Sequence, residues 1–173
     1  PRVKQGDGPN STFYNHEVVG AKMTREILAR LKFPKDMSSR IAHLVRHHMF
    51  FYNVDEVSPA GVRRFIKRVG ADCIDDLFRL READRIGSGV PKAVPYKLRH
   101  LRYMIDSVKA DPIDAKMLKV NGSDLMELLK VQPGPLLGQI LAILLEEVIE
   151  DPTRNVRDGL LKRAQEVAAL SDA

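Results

Sequence analysis

The sequence predicts an all-α fold, and three observations carry that expectation. Apolar residues recur at spacings of three and four along most of the 173 residues. Gly and Pro also separate the periodic stretches, as at "KFPKD", "GSG" and "DPID". No apolar–polar alternation runs long enough to build a sheet.

The first helix is expected from about Thr12 to Leu31, with His16, Gly20, Met23, Ile27 and Leu31 on its inward face. "KFPKD" breaks it, because Pro34 disfavours helix in the residue before it. The second runs from about Asp36 to Met49, with Met37, Ile41, Leu44, Val45 and His48 as its apolar stripe. "FFYNVDEV" reads as an aromatic loop. Ser58-Pro59 then gives an N-cap and a first-turn proline for a third helix ending near Gly70. A fourth runs from about Asp72 to Ile86 and is stopped by "GSG", and a fifth from about Pro95 to Ala110 is ended by "DPID". Three more helical stretches follow, "NGSDLMELL", "PGPLLGQILAILLEEVIED" and "NVRDGLLKRAQEVAAL".

Composition narrows the function classes. Apolar residues make up 44% and charged residues 29%, as in a soluble globular chain. The single Cys73 excludes an internal disulfide framework and reads as a small buried residue, in keeping with a reducing cytoplasmic setting. "PLLGQILAILLEEVI" is too short to span a bilayer and reads as a core helix, so no membrane partner is expected. Residues 1–111 carry 21 Lys/Arg against 13 Asp/Glu, a net +8, whereas residues 112–173 carry 7 against 10, a net −3. The basic part is therefore the one suited to a polyanion such as RNA. Arg63, Arg64, Lys67 and Arg68 gather on one side of the third helix as the candidate RNA-binding group, with Lys92, Lys97, Arg99 and Arg102 as a second. A plain solvated basic face is the alternative.

Three of the five histidines fall in "HLVRHHM". At about 100° per residue from Ile41, His48 lies near 340°, inside the stripe. His47 lies near 240°, at its edge, and His43 near 200°, facing water. His16 shares a face with Gly20, and Asp84 shares one with Leu77 and Leu80. Two imidazoles and a carboxylate on buried faces of three helices suit a divalent metal such as zinc, manganese, nickel or iron. The competing reading is a buried His–Asp hydrogen bond, or Asp84 paired with Arg81 or Arg85.

"TFYNHEVVGAKMTREIL", "IAHLVRHHM", "VRRFIKRVG", "LFRLREADRIGSG" and "NGSDLMELLKVQPGPLLGQILAILLEEVIEDPTRNVRDGLLKRA" resemble, in order and spacing, one family. It is the carboxy-terminal half of bacterial tRNA nucleotidyltransferases (CCA-adding enzymes and poly(A) polymerase relatives) that carry an HD-type phosphohydrolase domain. The resemblance covers about Ser11 to Leu170. It implies an HD-type helical domain over 1–111, truncated at its amino terminus, and a helical tail domain over 112–173. It places His16, His48 and Asp84 at metal-ligand positions, with His47 as a further one, and implies a divalent metal (Zn, Mn, Ni, Mg or Fe).

The activity so implied is metal-dependent hydrolysis of phosphomonoesters or cyclic phosphodiesters, with the tRNA acceptor arm as partner. The alternative within the same family is a non-catalytic tRNA-binding scaffold. The family's upstream His, its His-Asp pair and its nucleotidyltransferase domain have no counterpart in this sequence. The expectation is a cut just after the family's Gly-Lys-Pro lysine and little hydrolysis from residues 1–173 alone.

Overall fold

A computed structural model describes residues 4–5, 12–50, 52–54, 56–89 and 96–171. The fold is all-α. A minimal antiparallel ladder of β1 (Lys4–Gln5) and β2 (Thr12–Phe13), with Lys4 opposite Phe13, precedes the helices. The helices are α1 (His16–Arg30), α2 (Lys35–His47), α3 (Pro59–Val69), α4 (Ile74–Gly87), α5 (Tyr96–Ser107), α6 (Gly122–Leu129), α7 (Pro135–Glu150) and α8 (Arg157–Ser171). Short 3-10 turns at Ala71–Cys73, Ala115–Met117 and Pro152–Arg154 join them. Among the described residues no helix is long and apolar enough to cross a membrane.

Contacts divide the chain into two compact units, Pro1–Asn53 with Val69–Arg99, and Val54–Arg68 with His100–Ala173. This differs from a boundary at residue 111. Almost all of α3, and α5 from His100 onward, belong with the tail. One physical reason is Arg63, only 8% exposed on α3. Its Nε donates to Asp111 Oδ2 at 2.7 Å and its Nη1 to the Ile149 carbonyl at 2.8 Å, both within the second unit.

In the first unit α1 packs mainly on α2. Small residues allow the approach. Ala21 and Ala42 are buried, and a Cβ added at Gly20 would stand 3.3 Å from Val45 Cγ1. The lower part of the stripe expected to face inward does not. Met23, Ile27 and Leu31 are exposed. Ile74, Leu77 and Phe78 of α4, with Tyr52, Val69, Cys73 and Leu98, provide the buried apolar side chains. Ser58 caps α3 as expected, its Oγ accepting from the Gly61 amide at 3.1 Å.

The second unit has an aliphatic core built on α7. Leu137, Ile140, Leu144, Leu145, Val148 and Ile149 are buried there against Leu125 of α6 and Leu160, Ala164 and Val167 of α8. The long apolar run is thus a core helix. Asn121 closes a capping box at α6, accepting from Ser123 and Asp124 amides at 2.8 and 3.1 Å while Asp124 Oδ2 accepts from the Asn121 amide at 2.8 Å.

Candidate functional site

The candidate site lies in the first unit, where α1 begins and α2 ends. Asn15 takes a left-handed conformation (φ 58°), which Asn tolerates, and so turns the chain from β2 into α1. That turn brings the Phe13 carbonyl 2.8 Å from His16 Nδ1. At the other end His48, the C-cap of α2, places its Nδ1 2.6 Å from the Val45 carbonyl. A carbonyl only accepts, so each Nδ1 carries the proton and each Nε2 of the neutral ring presents a lone pair. The two Nε2 atoms are 3.2 Å apart.

Two lone pairs cannot satisfy each other, so this arrangement calls for a shared proton or a cation between the rings. The separation fits a cation. Two metal–imidazole bonds of about 2.0 Å at a tetrahedral angle put their nitrogens about 3.3 Å apart. Imidazoles that bind metals also donate their other N–H to an acceptor that fixes the ring, and both rings here do so. His48 is 9% exposed, shielded as a buried-face ligand should be.

The other expected ligands stand differently. Asp84 is not a bare buried carboxylate. Its side chain is 38% exposed and its Oδ2 accepts from Arg81 Nη1 at 3.0 Å, the Arg81 pairing that the sequence left open. Arg81 Nη1 also lies 3.0 Å from Met49 Sδ, which ties α4 to the segment after His48. Among the described residues no group of three or more His, Cys, Asp or Glu could hold a metal ion. The structure therefore brings His16 and His48 together and does not gather Asp84 or His47 with them into one ligand cluster. His47 instead lies tilted against His43, centroids 4.5 Å apart with the ring planes at 58°. His43, expected to face water, is half-buried with its Nε2 2.7 Å from the Val69 carbonyl. The carbonyl of Val69, the last residue of α3, comes close enough to receive a ring that helix geometry alone points outward.

The basic group on α3 is committed within its own unit. Beside the buried Arg63, Arg64 pairs with Glu146 and Glu150 at 3.1 and 2.8 Å, and Lys67 pairs with Glu146 at 2.8 Å. Arg68 lies over the Phe65 ring at 5.9 Å. Arg63, Arg64 and Lys67 of this group thus each hold an intramolecular partner. The signal missed in the sequence is Glu146 and Glu150, one turn apart on α7, which supply the counter-charge. Of the second basic group, Lys92 lies outside the described residues, and Lys97 donates to Asn53 Oδ1 at 2.7 Å.

Residues 18–164 match the family model for tRNA nucleotidyltransferase domain 2. The chain belongs to that family. It is 35% identical, over 80% of its length, to the CC-adding tRNA nucleotidyltransferase of Thermus thermophilus, of which it covers 30%. It is 33% identical, over 83% of its length, to the A-adding tRNA nucleotidyltransferase of Deinococcus radiodurans, of which it covers 33%. A shorter match, 41% identical over 38% of the chain, is to the CCA-adding enzyme of Lactiplantibacillus plantarum. The chain thus spans about a third of the length of the first two curated relatives. No solved structure matches it significantly.

Proposed function

We propose that this chain is part of a tRNA nucleotidyltransferase, in which His16 and His48 contribute two imidazoles to a metal-dependent phosphohydrolase site. The substrates are phosphomonoesters or cyclic phosphodiesters at RNA ends, and the partner is the tRNA acceptor arm. The facing Nε2 atoms, with both Nδ1 atoms fixed by carbonyls, carry this reading. A bound divalent metal would supply Lewis acidity toward a phosphoryl oxygen and a more acidic water.

The chain's own residues do the positioning. The Phe13 and Val45 carbonyls hold the tautomers, and the turn at Asn15 sets the His16 ring. Two imidazoles leave the coordination sphere incomplete. Among the described residues Asp84, held by Arg81, is the candidate to be released toward the metal. That incompleteness favours one second reading, a tRNA-gripping scaffold without hydrolysis.

The test is metal-dependent hydrolysis of a 2′,3′-cyclic nucleotide by the full-length enzyme and by its His16→Ala and His48→Ala forms. Loss of hydrolysis in both, with nucleotide addition kept, supports the site. Hydrolysis unchanged by either substitution, or absent from the enzyme altogether, removes it and leaves the scaffold.

A further inference from the structure

Two residues beyond His48 the chain enters a concavity of the first unit, about 100 Å³ in volume, lined by Phe50, Tyr52, Arg81, Arg85, Lys97 and Leu98. Among the described residues its lining brings together three cations, of which Arg81 is ion-paired with Asp84. Small-molecule sites usually measure about 300–1,000 Å³, so this cavity is sized for one compact group rather than a whole nucleotide. The cations come from two helices. Arg81 and Arg85 stand one turn apart on α4, and Lys97 lies in the first turn of α5.

Two of the cations are pre-set. Among the described residues Arg81 is steadied by bonds from Nη1 to Asp84 and Met49, which leaves donor capacity on Nε and Nη2. Lys97 is held by a neutral partner, the Asn53 side chain, at 2.7 Å, so its charge is not cancelled there. Apolar walls from Phe50, which lies against Phe78 with centroids 5.8 Å apart, and from Leu98 lower the local dielectric and strengthen attraction to an anion. Guanidinium forks match phosphate oxygens in geometry as well as charge.

We propose that this pocket is a phosphate-binding subsite that seats a single phosphate group of an RNA strand. The assignment to RNA rests on the reading of the chain as acting at RNA ends. The affinity for phosphate itself does not.

The test uses the 173-residue chain with EDTA present, so that metal plays no part. Binding of inorganic phosphate and of a short single-stranded RNA with a 3′-phosphate is followed by NMR titration. Lys97→Gln and Arg85→Gln are expected to weaken both ligands about tenfold each, the scale of a charge-assisted hydrogen bond. Arg79→Gln removes the same charge from the same helix outside the pocket and is expected to change either affinity less than twofold. Loss confined to the RNA also supports the subsite, with phosphate required in ester form. Binding of inorganic phosphate without binding of RNA overturns the RNA assignment. Equal loss in Arg79→Gln, or no loss in the two pocket variants, overturns the subsite. A His48→Ala chain that keeps phosphate affinity separates this pocket from the metal reading, whichever way that reading falls.

Discussion

The Nε2 atoms of His16 and His48 face each other at 3.2 Å, while the second nitrogen of each ring is committed to a backbone carbonyl. Nickel or zinc titrated into the chain is expected to bind at this pair. His16→Ala and His48→Ala should each weaken binding by more than tenfold, since loss of a ligand costs at least as much as loss of the partner that orients it. His47→Ala, at a ring that lies against His43 rather than in the pair, should change affinity less than threefold. Isothermal titration calorimetry decides the matter, and equal losses at His47 and His48 would count against the pair.

Arg63→Ala should destabilise the chain by about 2–3 kcal/mol, because it leaves the Ile149 carbonyl and the Asp111 carboxylate without their donor. Arg68→Ala, at an exposed position over the Phe65 ring, should stay within about 0.5 kcal/mol of the parent. Chemical denaturation of both variants measures the contrast. Similar midpoints would show that Arg63 is not an anchor.

Glu146 sits between Lys67 and Arg64, which hold its carboxyl below the ordinary value of 4.5. A carboxylate lowered in the folded state adds stability that is present above its unfolded pKa and is lost as pH falls through the folded one. Thermal unfolding should therefore show a loss beginning as pH drops below about 4.5, and Glu146→Gln should flatten that part of the profile. Because the Glu146 side chain is 48% exposed, the flattening should be small, well under 1 kcal/mol.

Asn121→Ala removes the side chain that accepts from two amides at the start of α6. The expected cost is about 1 kcal/mol. An Asn121→Ser chain, which restores an acceptor, should recover most of it, and a recovery no better than alanine's would place the effect outside the cap.

The helices were legible because their signals are local. Ser58-Pro59 before α3, Gly70 after it and the apolar run of α7 each act within a turn or two of themselves. The pairing of His16 with His48 was half legible. Periodicity put both on inward faces, but the carbonyls that fix their tautomers are features of a turn and a helix end. Side-chain partners were hidden for a different reason. Asp84 has Arg81 three residues away, which spacing alone could not rank above a metal. Arg64 and Lys67 find Glu146 79 to 82 residues along the chain, a distance over which sequence carries no pairing signal. The grouping of α3 with the later helices was hidden for the same reason, because Arg63 reaches Ile149 86 residues away.

Helix α1 buries one side chain fully, Ala21, and packs mainly on α2. Such a helix belongs to the low end of the local-opening spectrum, and its amides should exchange with solvent well before those of α7. His16 rides on that helix and His48 on its partner. An ion held between them would then act as a stitch. It would raise the free energy of detaching α1 without changing any contact in the second unit, and protection would appear in α1 alone.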